Sequence, residues 1–131
     1  MSAPKRIQMT RQRPWRADNP DAVRVDRATK WGNPFAVEVL GRDHEARIDG
    51  MRFWVEDGLG VEFFRKRHHA AEYAVECFRS DLIAGRLVQM ADLEPLRGLD
   101  LACWCPPSEP CHADVLLELA NALRPTSSEN T

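Results

Sequence analysis

Three cysteines and a histidine fall within ten consecutive positions, Cys103, Cys105, Cys111 and His112, in the run Leu101-Ala-Cys-Trp-Cys-Pro-Pro-Ser-Glu-Pro-Cys-His-Ala-Asp114. Thiolate and imidazole attack electrophiles, move protons and ligate zinc, so this spacing raises two chemistries. In the first, Cys111 is a thiol at a helix start, His112 an acid or base and Asp114 its partner, and all three are catalytic candidates. The unpaired N–H groups and dipole of a helix N-terminus favour a thiolate there, which would pull the Cys111 pKa below its ordinary value. The same N–H groups would hold a phosphate-bearing ligand such as a nucleotide. In the second chemistry, Cys103, Cys105, Cys111 and His112 form a Cys₃His zinc site, although C-x-C and Cys-His are tighter than the usual ligand spacings. Simple burial of small apolar thiols is the plain alternative to both.

The surrounding pattern says which elements must position these groups. Leu99 to Cys105 alternates like a strand, Pro106-Pro107 breaks it, and Val115, Leu116, Leu119 and Leu123 then mark one face of a helix. Strand, proline-rich loop and helix therefore place the cluster at a sheet edge where open α/β folds bind ligands. A second informative stretch is Arg27-Ala-Thr-Lys-Trp-Gly-Asn-Pro-Phe35. Gly32 and Asn33 tolerate positive φ and Pro34 disfavours helix at Asn33, which predicts a sharp turn. Arg27, Trp31 and Asn33, with Cys105 from the other loop, are the ligand-binding candidates: an anion contact, a stacking face and a polar side chain. The competing reading has Trp31 and Phe35 merely anchoring the turn in the core. Both stretches end strands, so the turn is expected beside the Cys105–His112 loop.

The remaining chain supplies a scaffold. Arg6–Thr10 and Ala22–Asp26 read as strands, and 11–20 as a loop. Phe35–Leu40 and Met51–Val55 read as a hairpin or strand pair on an edge. Arg65–Ala84 reads as a helix, with Ala71, Val75, Phe78 and Leu82 on one stripe, Ala70, Ala74 and Cys77 beside it, and Gly85 ending it. His68 and His69, adjacent on a helix, point about 100° apart and cannot share a face. Val88–Leu96 is a short link. The fold expected is a single α/β domain over 1–124: a small central sheet flanked by helices, a C-terminal strand–loop–helix bearing the Cys/His cluster, an inserted edge feature at 36–62 and a disordered tail at 125–131.

At 131 residues the chain can bury a core without disulfide staples. No apolar run approaches the ~18 residues of a membrane span, and the N-terminus lacks the apolar core of a secretory signal. A cytoplasmic location without a membrane partner follows as the expectation, with reduced or metal-bound cysteines. The first thirty residues hold eight Lys or Arg against three Asp, within a chain of net charge −2. This basic arm could attract nucleic acid, or could simply be a solvated edge.

Val23-Arg-Val-Asp-Arg27, Lys30-Trp-Gly-Asn-Pro-Phe35 and the distant Leu96-Arg-Gly-Leu-Asp-Leu-Ala-Cys-Trp-Cys-Pro106 with Cys111-His-Ala-Asp-Val-Leu116 together resemble a small family of unknown function from bacteria and bacteriophages. The resemblance spans roughly residues 5–123. It implies an α/β fold but no activity. The extra sequence between Phe35 and Glu62, relative to shorter members, supports the inserted feature. The loop and Cys-His step also look like another uncharacterised α/β family that ends in Cys-His-Arg, with Ala113 here in place of the arginine. Besides a phosphate-binding enzyme or binder and a zinc-stabilised domain, a non-enzymatic phage or host interaction module remains as a third function class.

Overall fold

The strand predicted before the cysteines is the middle of a sheet. In the computed structural model, which describes residues 3–12, 14–88 and 90–122, β1 (Arg6–Gln8), β2 (Val23–Arg24) and a late strand, Leu101–Cys103, form a three-stranded parallel sheet with the late strand central. Arg6 pairs with Leu101 on one side of it and Val23 pairs with Leu101 on the other. Leu101 and Ala102 are fully buried and Cys103 nearly so. A strand covered on both faces reads as a continuous apolar run. Alternation sends Leu101 and Cys103 into the main core and Ala102 into a smaller cluster with Ile7 and Met9 on the opposite face. Trp15 packs on that smaller cluster from α1 (Trp15–Asp18), a single turn in a stretch expected to be loop.

Residues 38–64 form a sheet of their own: β3 (Glu38–Val39), β4 (Phe53–Glu56) and β5 (Val61–Phe64), all antiparallel. The expected strand pair is thus a three-stranded meander, with β5 the member the sequence reading lacked. Leu59 and Gly60 N–H groups donate to Asp57 Oδ1, and Gly58 takes φ 90°, which turns β4 into β5.

α2 (Arg67–Ile83) packs on β4 and β5 of the antiparallel sheet and against the C-terminal helix. Its fully covered line is Ala70, Ala74, Phe78 and Leu82, one residue round from part of the predicted stripe; Ala71 and Val75 are half-buried. The helix ends where expected. Gly85 has φ 76°, its N–H donates to the Leu82 carbonyl, and the Arg86 N–H donates to that of Asp81, the two bonds of a Schellman motif. A 3-10 segment, Met90–Leu96, seats Leu93 and Leu96 in the core and leads into β6, the late strand Leu101–Cys103. α3 (His112–Ala122) follows the proline loop and docks through Val115, Leu116 and Ala120, with Leu119 half-buried against the core. Leu123 and the tail at 125–131 lie outside the described residues. No described helix is long and apolar enough to cross a membrane.

Candidate metal centre and the adjoining cavity

Cys103 stands at the C-terminal end of β6 and Cys111 and His112 at the start of α3, so the loop brings these three together, with Cys105, two residues on, beside Cys103 but outside the mutual cluster. Cys103 and Cys105 Sγ are 3.8 Å apart, and Cys111 Sγ is 3.8 Å from His112 Nδ1. The ligand atoms of Cys103, Cys111 and His112 all lie within 4.8 Å of one another, close enough to hold a metal ion. Two sulfurs bound about 2.3 Å from one tetrahedral ion stand about 3.8 Å apart, which is the separation seen.

How adjacent residues converge is settled by His112. Its Nε2 reaches the Val25 carbonyl at 2.5 Å, and its ring meets Phe78 edge-on at 5.3 Å. A carbonyl accepts only, so Nε2 carries the proton and Nδ1 keeps its lone pair, directed to the Cys111 side. Burial holds the imidazole below its ordinary pKa and therefore neutral at neutral pH. A ring N–H anchored on a backbone carbonyl is the usual support of a metal-ligating histidine.

The thiol electrostatics correct one expectation. Cys111 is not lowered by the helix start; its pKa is raised, because its S–H is directed to Cys103 and Cys105 and because the group is buried. Cys103 is the sulfur held far below the ordinary thiol range, receiving S–H bonds from Cys105 first and Cys111 second. Cys105 is raised by the same Cys103 contact. The Ala113 N–H does point at Cys111 sulfur, so Cys111 caps the helix, but three converging thiols outweigh that single donor.

Asp114 faces elsewhere. Its carboxylate pairs with Arg6 at 3.2 Å, and the same guanidinium donates to the Pro106 and Pro107 carbonyls. Arg6, unremarked in the sequence reading, therefore ties β1 to the loop and to α3. Asn33 is buried and engaged within the fold: its amide donates to the Ala74 carbonyl of α2 and its oxygen accepts the Phe35 N–H. Arg27 donates to the Asn33 and Phe35 carbonyls. A Cβ on Gly32 would come 2.6 Å from Arg27 Cα, so only glycine lets the turn fold back so closely. Trp31 packs half-buried against the core with Lys30 Nζ 4.9 Å over its ring.

The turn and the cysteine loop do meet. They line one cavity of about 380 Å³ with Arg27, Asn33, Cys105, Cys111 and His112 in its wall; Trp31 is not among the lining residues. The basic N-terminal arm is largely committed within the chain: Lys5 pairs with Asp100, Arg6 holds the loop, Arg24 pairs with Asp26, and Arg11 and Arg16 lie over Trp104 and Trp15.

No solved structure matches the chain significantly. It is similar to the "Uncharacterized 12.4 kDa protein in nrdA-td intergenic region" of Enterobacteria phage T4, at 34% identity over 85 residues, covering 62% of this chain and 71% of the phage protein. Both the turn and the Cys/His loop lie inside the span 7–122 that matches the family model described as "Domain of unknown function (DUF4326)", and the chain belongs to that family.

Proposed function

We propose that Cys103, Cys105, Cys111 and His112 hold one zinc ion, and that this centre builds one wall of a site for a phosphate-bearing small molecule. The carrying observation is the convergence of the buried donors around a histidine whose tautomer is set by Val25. Three sulfurs and one imidazole nitrogen suit zinc. With four protein ligands the ion keeps no open position, so it braces the join of β6, the proline loop and α3 rather than activating water. A reducing cytoplasmic compartment suits this reading, since it keeps such thiols available to metal.

Protein purified without chelator should contain one zinc per chain. Cobalt substitution should give tetrahedral d–d bands together with thiolate charge transfer. Cys111→Ser should lose both and destabilise the fold, while Cys77→Ser, outside the cluster, should lose neither. Metal-free protein with four freely titrating thiols and undiminished stability would overturn the metal reading.

The phosphate-bearing ligand rests on a different observation. The cavity sits at the C-terminal ends of parallel strands, where doubly wound folds bind ligands, and Arg27 borders it. Binding of inorganic phosphate or a nucleotide to the zinc-loaded chain, weakened by Arg27→Ala, is the expected result.

A further inference from the structure

The wall of the cavity opposite the cysteine loop is α2, and it brings in residues that the motifs do not contain. Arg67 opens that helix and lines the cavity. Its guanidinium lies over the Phe53 ring at 5.0 Å and, among the described residues, has no hydrogen bond or ion pair. Arg27 stands in the same cavity with part of its fork on the turn carbonyls. Glu109, in the proline loop, is the acidic residue of the lining. Its Oε2 is buried without a hydrogen-bond partner, 3.9 Å from His68 Nδ1. Phe35, Val37, Ala71 and Val75 supply an apolar surface between these polar groups.

Two guanidiniums face one carboxylate, and a zinc centre of three thiolates and a neutral imidazole adds one negative charge to its own wall, so the cationic part of the cavity is confined to Arg27 and Arg67. That suits one phosphate monoester, at about −1.5 to −2 near pH 7, better than a di- or triphosphate. About a third of the Glu109 side chain stays exposed where it lines the cavity, and a carboxylate there takes an N–H or O–H donor from the body of the ligand, away from the phosphate held by the guanidiniums. The apolar wall needs a flat or aliphatic body. About 380 Å³ lies within the roughly 300–1,000 Å³ usual for small-molecule sites. Building on the phosphate-ligand reading above, we infer that the cavity is a nucleoside monophosphate site: Arg27 and Arg67 take the phosphate, Phe35, Val37 and Val75 take the base or sugar face, and Glu109 accepts a hydrogen bond from a base amino or imino group or a sugar hydroxyl.

Calorimetric titration of the full zinc-loaded chain with the four ribonucleoside monophosphates, inorganic phosphate and the free nucleosides tests this. At least one monophosphate should bind about tenfold or more tighter than inorganic phosphate. Arg67→Gln should weaken the monophosphate and inorganic phosphate together. Glu109→Ala should weaken the monophosphate about tenfold relative to inorganic phosphate, whose own binding is kept or strengthened by loss of the carboxylate and also shows that the variant is folded. Glu109→Leu, of similar bulk and without an acceptor, takes its place if the alanine variant does not fold. Monophosphates binding no tighter than phosphate, or indifferent to Glu109, would overturn the nucleotide assignment and leave the phosphate reading standing. Folded, zinc-loaded protein that binds none of these compounds would overturn both.

Discussion

The parallel sheet β1-β6-β2 and the antiparallel sheet β3-β4-β5 each have three strands, yet convergent chemistry gathers at the first. β6 is buried along its whole length between partners drawn from the opposite end of the sequence. The antiparallel sheet is local, and Val55 is the one fully covered residue in its three strands; Val39, Val61 and Phe63 are exposed. A side chain at the end of a strand held from both faces has few alternative rotamers and little water around it. That makes β6 the place where thiols and an imidazole can be held at ligand distance. The antiparallel sheet contributes reach instead: Phe53 carries Arg67 to the cavity rim.

Mutations should separate the two regions. Leu116→Ala, on the buried face of the helix that begins at His112, should cost ~2–5 kcal/mol in denaturant unfolding and weaken any metal held by the Cys/His cluster. Asn33→Ala removes two buried hydrogen bonds joining the turn to α2 and to itself, and should cost ~1–3 kcal/mol.

Tyr73 offers a smaller, pH-dependent effect on the antiparallel side. Its hydroxyl donates to Asp57 at 2.5 Å, which drives the phenol far above its ordinary range and holds Asp57 below its own. A folded-state pKa above the unfolded ~10 contributes stability that is full below pH ~10 and is lost as pH rises towards the folded value. The chain has one tyrosine, so phenolate absorbance reports this group alone. Native protein should show none at pH ~10.5, where the free side chain is largely ionised, and Tyr73→Phe should lessen the alkaline loss of stability, the raised thiols of Cys77 and Cys111 keeping the remainder. Leu59→Ser, fully exposed in the turn between β4 and β5, should change stability by no more than about 0.5 kcal/mol. A loss there equal to that at Leu116 would erase the contrast between the sheets.

Much of the scaffold was readable in one dimension. Apolar periodicity placed β6, α2 and α3, and Gly85 marked the end of α2, because each signal is confined to neighbouring residues. The meeting of the turn with the cysteine loop was readable too, since both follow parallel strands. The turn at Trp15–Asp18 and the strand Val61–Phe64 were missed because each is four residues long, too short for a periodic signal. Arg67 and Glu109 gave no signal because each lies in an ordinary polar stretch, and the fold alone brings them to one cavity.

The sequence by itself determined which side chains are candidates for chemistry: four donors within ten positions, delivered by a strand, a proline loop and a helix. Only the tertiary structure decided what each is free to do. His112 is bound to Val25, 87 residues away, and Asp114 to Arg6, 108 residues away, while Cys103 rather than Cys111 holds the low-pKa sulfur. A polar group's role depends on which donor or acceptor the fold leaves facing it, and no local window of sequence contains a partner that arrives from the far end of the chain.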